Sequence, residues 1–174
     1  MNKTLIKYFI GILVFFMSIN NSKAANNTPQ MIGEYKDWVA YYVNTPEGTI
    51  CYIASTPKRE EGKYTARGDI YAVVTHRPRE RSYDVVNFVA GYKYKQGAKV
   101  TVKIGNNTIE ELFTEGDKAW AVNEDADKTL VNAMKKGQRM IVYGTSSRGT
   151  VTKDTYSLAG FVSAYKAINS KCKR

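Results

Sequence analysis

The sequence predicts a mainly β protein: an antiparallel β-sandwich of immunoglobulin-like type, with one short internal helix and a C-terminal helix. Three observations predict it. Runs rich in β-branched and aromatic residues recur at short intervals from residue 37 onward. Most of the breaks between them are too short for the crossover that a parallel sheet needs. Only twice does the apolar period change from strand-like to helix-like, around residues 126–134 and 158–172.

The chain opens with an export leader. Lys3 and Lys7 precede the apolar run Tyr8–Ile19, and Ser22-Lys23-Ala24 supplies small residues at the positions a signal peptidase reads. The run is short of the roughly 20 apolar residues that a spanning helix needs, which disfavours the competing reading as an uncleaved anchor. No cysteine follows it, against lipid anchoring. Residues 1–24 are therefore a signal peptide, 25–34 a flexible polar N-terminal segment carrying Pro29, and 35–174 one domain, with no transmembrane segment in the mature chain.

Asp37–Val43 and Thr49–Ser55 read as a hairpin around Asn44-Thr-Pro-Glu-Gly48. Thr56–Arg67, charged and broken by Pro57 and Gly62, reads as an exposed loop. Gly68–Thr75 is apolar on both parities, as a strand buried on both faces would be, and Arg77-Pro78 ends it in a basic loop. Asp84–Gly91 repeats that character. In Ala98–Ile104 the apolar Val100, Val102 and Ile104 alternate with Lys99, Thr101 and Lys103, so one face is core and the other water. Turns at Gly105-Asn-Asn107 and Glu115-Gly-Asp117 separate it from short strands at Thr108–Phe113 and Lys118–Val122. Ala126, Leu130 and Met134 then mark a helix, capped by Asn123 or Asp125, with acids in its first turn and Lys135-Lys136 in its last. Gln138–Gly144 and Thr150–Ser157 return to strand. Leu158, Phe161, Tyr165, Ile168 and Cys172 form the stripe of a terminal helix.

Charge and cysteine content depend on the leader. It takes three of the 26 bases and no acid, so 23 bases face 16 acids and the formal charge falls from +10 to +7. Outside the cytoplasm such a charge points away from nucleic acid. The anionic partners it suits there are lipid headgroups, lipopolysaccharide, acidic glycans or acidic protein surfaces, with a role in solubility alone as the alternative. Cys51 and Cys172 are the only cysteines, and an exported chain with two most simply forms one disulfide. The loop closed would span nearly the whole domain, worth roughly 4–5 kcal/mol by chain entropy.

No catalytic motif appears: no GxSxG elbow, HExxH helix, Walker loop or dinucleotide fingerprint. His76, the only histidine, has no sequence-legible partner, and one histidine excludes a Cys2His2 zinc site. The sequence thus predicts no enzyme, metal or cofactor. The carboxylate pairs Glu60-Glu61, Glu110-Glu111 and Asp125/Asp127 read as solvated surface. The denser signal is basic, and Arg67, His76, Arg77, Arg79 and Arg81 are the candidate anion- or partner-binding residues. The two basic loops flank one strand and so fall at its opposite ends. Thr145-Ser-Ser-Arg-Gly-Thr150 has the composition of a phosphate loop but lacks its lysine and following helix, so it reads as a hairpin turn.

A set of residues in fixed order also resembles a known family. It comprises Asp37-Trp38, Cys51-Tyr52, Arg67-Gly68, Val74-Thr-His-Arg-Pro78, Ala90-Gly-Tyr92, Phe113 and Ala119-Trp-Ala121. It continues with Met134-Lys-Lys-Gly137, Gly144-Thr-Ser-Ser-Arg-Gly-Thr150, Asp154-Thr-Tyr-Ser-Leu158, Gly160-Phe161 and Cys172. Together they are similar to the invasion-associated locus B family of exported bacterial proteins, over about residues 35–172. The resemblance implies a compact β-sandwich in the periplasm, at the outer-membrane surface or secreted, with a link in pathogenic relatives to entry into host cells. It carries no catalytic residues. Some relatives have a further cysteine near the tryptophan, where Tyr41 and Tyr42 stand here, so no second bridge is expected. The functional expectation is an exported non-enzymatic protein of the bacterial envelope or surface that assists host-cell invasion by binding, with a host-cell surface or an anionic envelope component as partner. A periplasmic housekeeping or chaperone-like envelope factor is the alternative.

Overall fold

The alternating runs become strands that hydrogen-bond antiparallel throughout. A computed structural model describes residues 27–174, so the predicted leader lies outside the described residues. The strands are β1 (Gln30–Tyr35), β2 (Trp38–Thr45), β3 (Gly48–Ser55), β4 (Arg59–Gly62), β5 (Tyr71–Arg77) and β6 (Ser82–Val89). They continue with β7 (Val100–Ile104), β8 (Asn107–Glu115), β9 (Lys118–Trp120), β10 (Arg139–Thr145) and β11 (Val151–Ser157). The helices are α1 (Glu124–Lys136) and α2 (Phe161–Lys171).

The strand order is β1-β2-β3-β5-β6-β9-β8-β7-β10-β11-β4. Two layers result, joined through β8. Its first part pairs with β7 and its last residues, Phe113–Glu115, pair with β9. A register shift opposite β7 between Val100 and Val102 accompanies the switch, the usual device by which one strand serves two layers of a sandwich.

Alternation sends Trp38, Ile53, Val74 and Phe88 inward from one layer, and Val102, Met140, Val142 and Tyr156 from the other; all are buried. Phe88 and Tyr156 meet across the interior with ring centroids 6.5 Å apart. The Trp38 indole donates to the Ser157 carbonyl at 3.0 Å, which ties the layers at one end. There α2 closes the core, Phe161 packing edge-on against Trp38 at 5.0 Å. Helix α2 starts at Gly160, whose φ of +90° suits glycine. A Cβ there would stand 1.8 Å from the Tyr35 carbonyl oxygen. The start of α1 is as predicted: Asn123 accepts from the Ala126 N–H at 2.9 Å. The predicted disulfide forms, joining Cys51 of β3 to Cys172 beyond α2, with Cα atoms 6.2 Å apart.

Two segments differ from the sequence reading. Gln30–Tyr35, expected in a flexible entry segment, pairs with β2. Arg59–Gly62, expected in a loop, pairs with β11. Both are edge strands held by main-chain bonds, which polar side chains do not prevent.

Candidate functional site

Two of the five candidate binding residues lie inside the protein. The loop before β5 folds Arg67 under the strand ends, where its guanidinium makes two parallel bonds of 2.6 Å to the Asp154 carboxylate. Its Nε donates to the Ala90 carbonyl at 2.6 Å. The side chains are only 3% and 6% exposed. Burial opposes the charge on Arg67, but the bonds and charge of Asp154 outweigh it and hold the pKa above its ordinary value. A guanidinium whose donors are committed in this way is structural, so Arg67 leaves the set of surface anion ligands.

His76 is also fully buried, in β5. Its Nδ1 accepts from the Asp84 N–H at 3.1 Å, so Nε2 carries the proton and donates to Asn169 Oδ1 at 2.9 Å. Burial holds its pKa below the ordinary value, against opposing contributions from Asn169 and Asp84. This is a neutral, hydrogen-bonded core histidine, fully buried and absent from the linings of five surface clefts. Asp84 beside it accepts from Tyr165 at 2.7 Å and is bonded to Arg174, contacts that outweigh its burial and keep its carboxyl below the usual range.

The other three candidates stay together at one tip. Pro78 stops β5 and starts a single 3-10 turn, Pro78–Glu80, which Arg81 closes with φ +54° by donating its N–H to the Pro78 carbonyl. Arg79 and Arg81 are exposed and Arg77 is half-buried at the strand end. Arg79 is steadied by a 2.9 Å bond to the Pro46 carbonyl in the β2–β3 turn. None of the three has a carboxylate partner among the described residues, although Glu80 shares the turn. Three cations on a braced turn can meet a planar or extended anionic surface.

The opposite end of β5 carries a basic cleft that the sequence reading missed. The β10–β11 turn, the loop after β4 and the segment after β6 enclose about 390 Å³, lined by Lys63, Tyr64, Tyr92, Lys93, Ser147 and Arg148 among others. The turn is a hairpin, as its composition predicted. Its Ser147 N–H donates to the Lys93 carbonyl at 2.8 Å and its Thr150 hydroxyl to the Lys63 carbonyl at 3.5 Å. Lys63, Lys93 and Arg148 stand on three separate segments, so nothing in the local sequence announces that they share one cleft. The Ser/Thr/Gly-rich turn was the one signal.

The described residues match known proteins in two comparisons. A family model described as Invasion associated locus B (IalB) protein matches residues 38–169. The crystal structure of invasion associated protein B from Bartonella henselae superposes with a TM-score of 0.59 at 17% sequence identity, covering 83% of this chain and 97% of that one. At that identity the likeness shows a shared fold. No curated protein matches by sequence.

Proposed function

The chain belongs to the invasion-associated locus B family, and from that premise we propose that it is an exported, non-enzymatic protein of the bacterial envelope or surface that assists host-cell invasion by binding. The signal-peptide pattern of residues 1–24 supports export to the periplasm, the outer-membrane surface or the medium. No helix among the described residues is long and apolar enough to cross a membrane. Binding rather than catalysis is favoured because the only histidine is spent on core hydrogen bonds, while the arginines at the tip have no carboxylate partner among the described residues.

The observation that carries this reading is the braced tip of Arg77, Arg79 and Arg81. Its partner is an anionic surface, on the host cell or in the envelope. The test is co-sedimentation of the purified, disulfide-bonded protein with anionic lipid vesicles and with host-cell membranes at physiological salt, against neutral vesicles. Binding above the neutral control that disappears in the R77E/R79E/R81E variant is expected. Equal binding to neutral vesicles, or a variant that binds like the parent, refutes it. Fractionation into periplasm, outer membrane and medium then decides whether direct host contact takes place.

A further inference from the structure

The cleft at the far end of β5 goes beyond this reading, because it is concave, small and separate from the tip. We propose that it is a binding site for a sugar carrying a phosphate monoester, with Lys63, Lys93 and Arg148 as anion ligands.

Its walls are fixed and its cations are free. Main-chain groups tie the walls to one another: Ser147 N–H to the Lys93 carbonyl at 2.8 Å and Lys95 N–H to the Thr145 carbonyl at 2.9 Å join the turn to the segment after β6, and Gly68 N–H to the Gly91 carbonyl at 2.8 Å joins the loop after β4 to that same segment. The Lys63, Lys93 and Arg148 side chains, all exposed, have no carboxylate partner among the described residues. No acid lines the cleft. Two acids on strands whose ends reach the cleft are paired already: Asp154 of β11 with Arg67 at 2.6 Å, and Glu61 of β4 with Lys153 at 3.0 Å. Three like charges with no counter-charge make an unbalanced positive site, which a dianion relieves more than a monoanion does. A phosphate monoester carries nearly two charges at neutral pH, with a second pKa of about 6.

The remainder of the lining asks for more than a bare anion. A volume of about 390 Å³ falls within the size range of small-molecule sites. Two aromatic side chains join the lining: the Tyr64 and Tyr92 rings, 5.5 and 4.9 Å from the Arg67 guanidinium, whose cation contacts help to fix them. Tyr92 is fixed further by a 2.6 Å bond to the Thr152 hydroxyl. Thr65 and Ser147 add hydroxyls with no protein partner among the described residues. Aromatic rings, hydroxyls and cations in one lining suit the C–H face, hydroxyls and charged ester of a phosphorylated sugar.

The test is titration of the 15N-labelled, disulfide-bonded protein with glucose 6-phosphate, followed by amide shifts. Glucose, inorganic phosphate and glucose 6-sulfate are the separate arms. Saturable shifts at Lys93 and Ser146–Thr150 are expected with glucose 6-phosphate, and binding at least about tenfold weaker in each other arm, as expected when a charge-assisted contact is missing. The K93Q/R148Q variant changes two unpartnered side chains and should weaken binding by about tenfold or more, whereas K166Q on the exposed side of α2 should not. No saturable shift, or shifts untouched by K93Q/R148Q, overturns the site. Equal affinity for inorganic phosphate overturns the sugar, and equal affinity for the sulfate ester overturns the dianion. The vesicle assay reads a different end of the molecule, so either proposal can fail while the other stands.

Discussion

Removing the Asp154 carboxylate should be among the most costly single changes in this protein. Arg67 would keep its Ala90 bond and its contacts with the Tyr64 and Tyr92 rings, but with a charge that is 3% exposed and the two nitrogens that bonded Asp154 left without it. Breaking a buried pair from one side costs about 3–5 kcal/mol, because the surviving charge stays desolvated. Against a total stability of roughly 5–15 kcal/mol for a domain, Asp154→Ala should therefore lower the urea midpoint sharply. Replacing both partners, Arg67→Met with Asp154→Leu, removes the buried charge as well as the pair. What is lost is then the bond to the Ala90 carbonyl and the cation contacts with the Tyr64 and Tyr92 rings, about 1–3 kcal/mol. The double variant should accordingly be more stable than Asp154→Ala alone. Equilibrium urea unfolding of the three proteins in oxidising buffer, with m-values compared, provides the measurement. A cost for Asp154→Ala below about 1 kcal/mol, the range of surface pairs, would show that water reaches the guanidinium and refute the reasoning.

Two other perturbations have defined outcomes. The Cys51→Ala/Cys172→Ala variant should lose up to about 5 kcal/mol, the chain-entropy value for a bridge of sequence separation 121; an unchanged urea midpoint would show that the bridge adds nothing. Asp127, buried at the start of α1 with its carboxylate accepting from the Val86 N–H at 2.7 Å, is pushed up to about 6 from an ordinary 3.8. Burial is the main cause, reinforced by the charges of Asp84 and Glu124 and opposed by the Val86 bond. Since the folded form binds its proton more tightly, the stability tied to Asp127 is complete below pH 3.8 and is lost as pH rises through about 6, by at most about 3 kcal/mol. Asp127→Asn keeps an acceptor for Val86 and should remove that slope between pH 4 and 6; chemical denaturation at several pH values checks it, and an unchanged difference from the parent refutes it.

What the sequence disclosed follows from how locally each feature is encoded. Both helices and the central strands were legible because their apolar periods are written in adjacent residues. The edge strands β1 and β4 were not, because pairing there uses main-chain groups that polar side chains share equally. Arg67 read as one more charge in an exposed loop because its partner Asp154 lies 87 positions away. The same holds for His76, whose ring is satisfied by Asn169, 93 positions on. Lys63, Lys93 and Arg148 come from three segments, so the cleft exists only after folding. Density of charge along the chain and density of charge in space are different quantities, and the arginine tip is where the two coincide.

The fold divides its basic residues by where the acids are. Arg67 and Arg174 each reach an almost fully buried carboxylate, Asp154 and Asp84, and both pairs join segments distant in sequence. The tip draws on this bracing. Cys51 pairs with His76 in the β3–β5 ladder, so the disulfide clasps the sheet one residue before Arg77. Arg174, just past the same clasp, bonds Asp84 and lies 5.3 Å from the Tyr83 ring. The strand ends that carry Arg77, Arg79 and Arg81 are thus held by a covalent bond, an ion pair and the Arg79 contact to Pro46. Rigid presentation lowers the ordering cost of an encounter with a charged surface. On the proposed binding role, a carboxylate partner would steady the turn but cancel its charge, whereas the Pro46 carbonyl steadies it and leaves the charge uncancelled among the described residues.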